Sequence, residues 1–149
     1  DGTFSLFNIL DKKVESTEYT MEDVTSGVLI DQTNNLMIYG NNESKLSYRN
    51  LPYNTESYYL KDSWIIPNID LNSSVQFSGS IIQTLAISNS NDLLALGFDD
   101  GSLIIYDMLN QGECGKIKIS DGPIQSILFS NNNILAGVSD SSIHLIEFD

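Results

Sequence analysis

An all-β fold assembled from repeats is what this sequence predicts, and three observations predict it. One segment recurs 40 residues later, with Asp100 answered by Asp140. Valine, isoleucine, leucine and aromatic residues gather in short runs bounded by Asn, Asp, Gly and Ser, the usual make-up of strands joined by tight turns. Apolar positions almost nowhere follow the 3.6-residue spacing of a helix. A repeat of about 40 residues changes the reading of the whole chain, because one such unit cannot bury its own apolar faces and needs neighbours of the same build.

The elements are taken in chain order. Asp1-Gly2-Thr3-Phe4-Ser5-Leu6-Phe7-Asn8 matches only the final turn and strand of the repeat, so the chain begins inside one, and the natural N-terminus is expected to lie upstream. This gives a partial unit over residues 1–12. A fainter copy runs through Val28-Leu29-Ile30-Asp31, the turn residues Thr33-Asn34-Asn35, Leu36-Met37-Ile38-Tyr39-Gly40 and Glu43-Ser44-Lys45-Leu46-Ser47-Tyr48-Arg49-Asn50. Extended through Gly79, it makes a degenerate unit over residues 24–79. Residues 53–79 do not fit the repeat and stretch the interval from Glu43 to Asp100 to 57 residues, about 17 more than the next interval. Part of this stretch must supply the fourth strand of its unit, and the rest is expected as an insertion at the edge.

Two clear copies close the chain, at residues 80–120 and 121–149. Ile82-Gln83-Thr84-Leu85-Ala86-Ile87-Ser88 aligns with Ile124-Gln125-Ser126-Ile127-Leu128-Phe129-Ser130. An Asn/Ser turn then leads into Leu93-Leu94-Ala95-Leu96 or Ile134-Leu135-Ala136. Last come Asp100-Gly101-Ser102-Leu103-Ile104-Ile105-Tyr106-Asp107 and Asp140-Ser141-Ser142-Ile143-His144-Leu145-Ile146-Glu147, each with a glycine, Gly97 or Gly137, three residues before the turn acid. Gly97 and Gly137 suit a strand end entering a tight turn, and Asp100-Gly101 suits a hairpin that needs positive φ. Asp1, Glu43, Asp100 and Asp140 are the expected turn acids.

This order of strands and turns, with a strand ending aromatic-Asp, resembles the WD-repeat family of β-propellers. The resemblance is strong over residues 80–149 and weaker over 24–51. It implies four-stranded antiparallel blades around an axis, commonly seven, of which this chain would supply about three and a half as part of a single propeller domain. The family's name-giving dipeptide is only approximated, by Tyr106-Asp107, Ile146-Glu147, Phe7-Asn8 and Arg49-Asn50. Its Gly-His pair is missing, and the only histidine, His144, falls within a strand. The family's Trp, Ser/Thr, His and Asp network therefore cannot be complete in any unit, which leaves apolar packing and turn chemistry to hold the blades. An incomplete ring exposes sheet faces and edges, so the remainder is expected from a missing part of the chain or from another subunit.

Composition narrows the function. The net charge is −13, with 20 acidic against 7 basic residues, which repels phosphate backbones and points to protein partners with basic or neutral surfaces and to no direct nucleic acid. No apolar run approaches the ~20 residues of a membrane-spanning helix, so no membrane insertion is expected. One cysteine, Cys114, allows no internal disulfide and fits an intracellular location, cytoplasmic or nuclear. One histidine and one cysteine leave no zinc-site spacing, and no nucleophile elbow, phosphate-binding glycine loop or calcium loop occurs. No cofactor, metal or catalytic residue is expected. The adjacent carboxylates Asp99 and Asp100 read as turn residues, since neighbours along a strand point to opposite faces.

The expectation is a non-catalytic interaction scaffold within a eukaryotic multiprotein complex. Tyr58, Tyr59, Trp64, Ile65 and Ile66, in the stretch that breaks the repeat, are the candidate partner-binding residues, because aromatics in such insertions often anchor partners. Two alternatives stand beside it: an acidic module that recognises a basic peptide or tail, and a propeller enzyme whose catalytic residues lie in missing blades.

Overall fold

The computed structural model describes residues 3–19, 29–31, 36–50, 74–77, 79–90, 92–131 and 133–147. Thirteen strands and no helix are found among them. They form antiparallel sheets in chain order. β1 (Thr3–Asn8) pairs with β2 (Lys13–Tyr19). β3 (Leu29–Asp31), β4 (Leu36–Gly40), β5 (Lys45–Asn50) and β6 (Ser74–Gln76) make a four-stranded sheet. β7 (Ile82–Ile87), β8 (Leu93–Phe98), β9 (Ser102–Asp107) and β10 (Gly112–Lys118) make a second. β11 (Ile124–Ser130), β12 (Asn133–Val138) and β13 (Ile143–Glu147) make the last, with three strands.

One boundary differs from those the sequence predicts. The first unit does not stop at residue 12, because β2 runs on to Tyr19 as the partner of β1. Its Lys-Val-Glu-Ser-Thr-Glu-Tyr sequence has too few apolar residues to announce a strand, and its pairing comes from the hairpin itself. Within 53–79 the expected fourth strand is found as Ser74–Gln76, with Val75 opposite Leu46. Residues 53–73 lie outside the described residues.

Turn chemistry repeats with the strands. Loops 42–44, 99–101 and 139–141 share one geometry, in which the third loop residue donates its N–H to the carbonyl just before the loop: Ser44 to Asn41 at 3.3 Å, Gly101 to Phe98 at 3.2 Å, Ser141 to Val138 at 3.1 Å. That third residue is left-handed in every case, with φ of 62°, 82° and 71°. A three-residue hairpin loop of this type demands it. Lys12 (φ 53°) and Gln111 (φ 52°) match in the same way in the loops after β1 and β9. Bulges recur too. Gln83 and Gln125 are skipped in the pairing of β7 with β8 and of β11 with β12, and Glu15 and Cys114 are skipped in β2 and β10. The β1–β2 hairpin is therefore the counterpart of β9–β10, the two outer strands of a sheet.

Side chains alternate along each strand, so each sheet has two faces. On the β7–β10 sheet, Leu85, Leu94, Leu96, Phe98, Ile104 and Tyr106 join Ile38, Leu46 and Phe77 of the preceding sheet in one core. Phe77 meets the Phe98 ring edge-on at 6.0 Å and the Tyr106 ring at 5.9 Å. On its other face Ala86, Ala95 and Leu103 join Ile124, Phe129, Ile134 and Ala136 in a second core. Small residues here let the next sheet approach closely, and β11 packs on β7 and β8. Both interfaces obey one rule: the later face of one sheet meets the earlier face of the next.

Candidate interaction surface

Of the residues singled out in the sequence, Asp1 and the aromatic group Tyr58, Tyr59, Trp64, Ile65 and Ile66 lie outside the described residues. Of the rest, Glu43, Asp100 and Asp140 sit on the turns, while Gly97 and Gly137 are the next-to-last residues of β8 and β12. Asp100 Oδ1 accepts the Ser102 N–H at 2.9 Å, and Asp140 Oδ1 accepts that of Ser142 at 2.8 Å. In the corresponding turn of the first four-stranded sheet the acceptor is Asn41 and not Glu43. Asn41 Oδ1 takes the N–H groups of Glu43 and Lys45, both at 3.0 Å, while Glu43 itself is exposed. The shorter side chain wins because its oxygen reaches its own backbone two residues on, a bond that the extra methylene of Glu misplaces.

Gly97 does more than end a strand. A Cβ there would stand 2.8 Å from Ile124 Cγ2 and 2.9 Å from Ile127 Cδ1, so its bareness is what lets β11 close down. A Cβ on Gly137 would meet only the Ser126 hydroxyl, at 2.6 Å. Gly101 combines positive φ with close approach, since a Cβ would run into the Ser120 carbonyl.

The turns and the links between sheets are laced into a belt. Phe77 N–H donates to the Ser44 carbonyl at 2.9 Å, and the Ser44 hydroxyl donates to the Ser80 carbonyl. Ile81 N–H donates to Asp99 Oδ1 and Asp99 N–H to the Ile81 carbonyl, both at 2.9 Å. Ile119 N–H donates to the Gly101 carbonyl and Ser139 N–H to that of Pro123, both at 3.0 Å. Three turn carboxyls are held low, Asp100 and Asp140 beside the belt and Asp92 in the turn at the other end of β8. Burial works against the Asp100 carboxylate, yet bonds from Ser102 and Ser80 and the Lys118 charge outweigh it. The Ser142 hydroxyl and N–H lower Asp140, and the Ser90 hydroxyl is the main cause at Asp92. All are ionised near neutrality.

Reactive side chains are few on this surface. Ser142 Oγ lies 2.8 Å from His144 Nε2, but the Asp140 carboxylate takes its hydrogen bonds from Ser142 and reaches the imidazole only through its charge. A serine nucleophile needs its acid behind the histidine, so this is a bonded turn and not a triad. Cys114 is exposed, and burial of its sulfur together with the Asp107 charge pushes the thiol up, away from the reactive thiolate. Among the described residues no three His, Cys, Asp or Glu are grouped to hold a metal ion, and no helix is long and apolar enough to cross a membrane.

The two ends of the sheet series carry what sequence reasoning missed. On the last sheet Leu128, Ile143 and Leu145 are exposed, on the face that in the β7–β10 sheet receives β11. On the first hairpin Phe7 and Val14, opposite each other, are exposed as well. A signal for the first was present: the repeat replaces Ala86 and Ala95 with Leu128 and Leu135.

No protein-family model matches the chain, and no curated protein sequence matches it. Among solved structures it is similar to the crystal structure of the computationally designed Ika8 protein, with a TM-score of 0.65 and 17% identity over 99% of this chain and 41% of that one. It is similar also to that of the computationally designed Ika4 protein, with a TM-score of 0.66 and 17% identity over 100% of this chain and 81% of that one. The chain spans less than half the length of Ika8, and at this identity the likeness is one of fold alone: consecutive antiparallel sheets, all β.

Proposed function

We propose that the chain is part of a β-propeller of the kind its WD-repeat resemblance implies, and that it serves as a non-catalytic platform for protein partners in an intracellular complex. The observation that carries this reading is the way the sheets succeed one another. β3 and β4 touch β7, and β7 touches β11, so successive meanders meet through their leading strands, as blades do around an axis. The likeness in fold to two designed proteins over nearly the whole chain is compatible with it. A platform of this kind presents bonded turns and sheet faces in place of a reactive cleft. Cross-linking mass spectrometry of the native assembly tests it, with links expected from Lys45, Lys116 and Lys118 to other chains after a high-salt wash. Turnover of a small substrate by the purified protein, or the lack of any linked chain, rejects it.

A second reading, recognition of a basic peptide, is favoured by the net charge of −13 and by the low-lying carboxyls of the turn belt. It requires affinity for a Lys/Arg-rich peptide that falls steeply with salt.

A further inference from the structure

We propose that residues 79–81 form a hinge between the β3–β6 and β7–β10 sheets, closed by a clasp of side chains that opens while the strands stay paired, and that the corresponding link at residues 119–123 is fixed. The hinge stands whichever partner the chain carries.

The two links differ at matching places. Asp99 N–H donates to the Ile81 carbonyl as Ser139 N–H does to that of Pro123, so Ile81 and Asp99 answer Pro123 and Ser139. At the first link a second bond completes a ring, from Ile81 N–H to Asp99 Oδ1 at 2.9 Å. Proline has no N–H to give, and the residue that faces it is a serine in place of the aspartate. The carboxylate is present where there is a donor to hold and is replaced where there is none.

What orders each link follows from this. Pro123 fixes its own φ, Gly122 N–H donates to Ser120 Oγ at 3.2 Å, and the Ser120 hydroxyl donates to the Gly122 carbonyl. The second link is thus held by its covalent structure and by bonds within itself. Residues 79–81 contain no proline, and Gly79 sits at φ 105° with nothing within 4 Å of where a Cβ would lie. Their order comes from side chains of the turns on either side. The Ser44 hydroxyl donates to the Ser80 carbonyl, the Ser80 hydroxyl donates to the Asp100 carboxylate, and Asp99 closes on Ile81. A few such bonds contribute little beside the whole fold, so they can part in a local opening while Ile82 keeps its pairing with Phe98.

Native-state hydrogen exchange on the intact protein tests the hinge. The Ile81 and Asp99 amides are expected to exchange through an opening that low urea does not accelerate, and faster than the amides of β8, which is paired on both sides. The Ser139 amide should show no such opening and should exchange with the amides of β12. Asp99→Ala should speed exchange at Ile81 by on the order of fivefold, the loss of one hydrogen bond. Asp99→Asn keeps an oxygen acceptor and should restore the original rate. Ile81 and Asp99 amides that share the rate and urea dependence of β8 overturn the proposal, since no local opening then exists. So does an equally fast, urea-insensitive opening at Ser139, which removes the contrast between the links. An Ile81 rate unchanged in Asp99→Ala overturns the clasp.

Discussion

Gly97 and Gly137 hold the same place in successive sheets, each opposite the third-strand residue just past the tight turn, Leu103 or Ile143. Around Gly97 the sheet is buried on both faces, and the next sheet lies within van der Waals reach of its backbone. Around Gly137 one face is covered and the other carries exposed leucine and isoleucine. One repeat thus supports two environments, and a residue's cost depends on the neighbour sheet more than on the residue itself. The same contrast separates Tyr106, enclosed by aromatic rings, from its exposed counterpart Phe7.

Leucine truncation should separate the two environments most. Leu96→Ala empties a fully buried site and is expected to lower stability by about 2–5 kcal/mol, whereas Leu145→Ala, at an exposed site, should change it by no more than about 0.5 kcal/mol. Urea midpoints at constant slope measure both. Equal losses would mean that the last sheet is covered after all.

The glycines give the next largest effect. Gly97→Ala forces a methyl into Ile124 and Ile127 and should cost about 1–3 kcal/mol, while Gly137→Ala meets only a rotatable hydroxyl and should cost under about 1 kcal/mol. Thermal melts of the two variants side by side would break the comparison if the order were reversed.

The left-handed turn position sharpens it on a smaller scale. Gly101→Ala adds a Cβ against the Ser120 carbonyl and should destabilise by at least about 1 kcal/mol. Ser141→Gly removes a side chain from a left-handed residue and should gain about 0.5 kcal/mol, after the entropy glycine brings to the unfolded chain. A loss on Ser141→Gly would show that its side chain has a bonding role.

The smallest effect is electrostatic. The Asp100 carboxyl is lowered in the folded chain, so its charge-dependent contribution is complete above the unfolded carboxylate value of about 3.9 and disappears as pH falls through the lower folded value. The stability gap between the chain and Asp100→Asn should be constant near neutrality and narrow from about pH 4 downward. A gap that holds at acid pH would assign the effect to geometry and not to charge.

How far the sequence could be read depended on how strictly the repeat was kept. The segments at 82–107 and 124–147 preserve turn acids, glycines and even the skipped glutamines, so strands, turns and register were legible there. β2 was not recognisable, because Lys13–Tyr19 is mostly polar, and the fourth strand expected within 53–79 could not be bounded, because Ser74–Gln76 is three residues long. Their places come from partners already aligned. Glu43 misled for a related reason: alignment by residue class favours the acid, while the bond is decided by reach and falls to Asn41. The apolar end faces were hidden because exposed and buried leucines look alike in a sequence.

Local chemistry alone determined that the described residues are all β, where the repeated turns fall, and that Gly101 takes positive φ, because those properties depend on neighbours within a few positions. Only tertiary structure decided which sheet faces are covered and why Gly97 must be bare while Gly137 need not be. Those are properties of what lies across an interface, some tens of residues away along the chain, and no local pattern of residues encodes them.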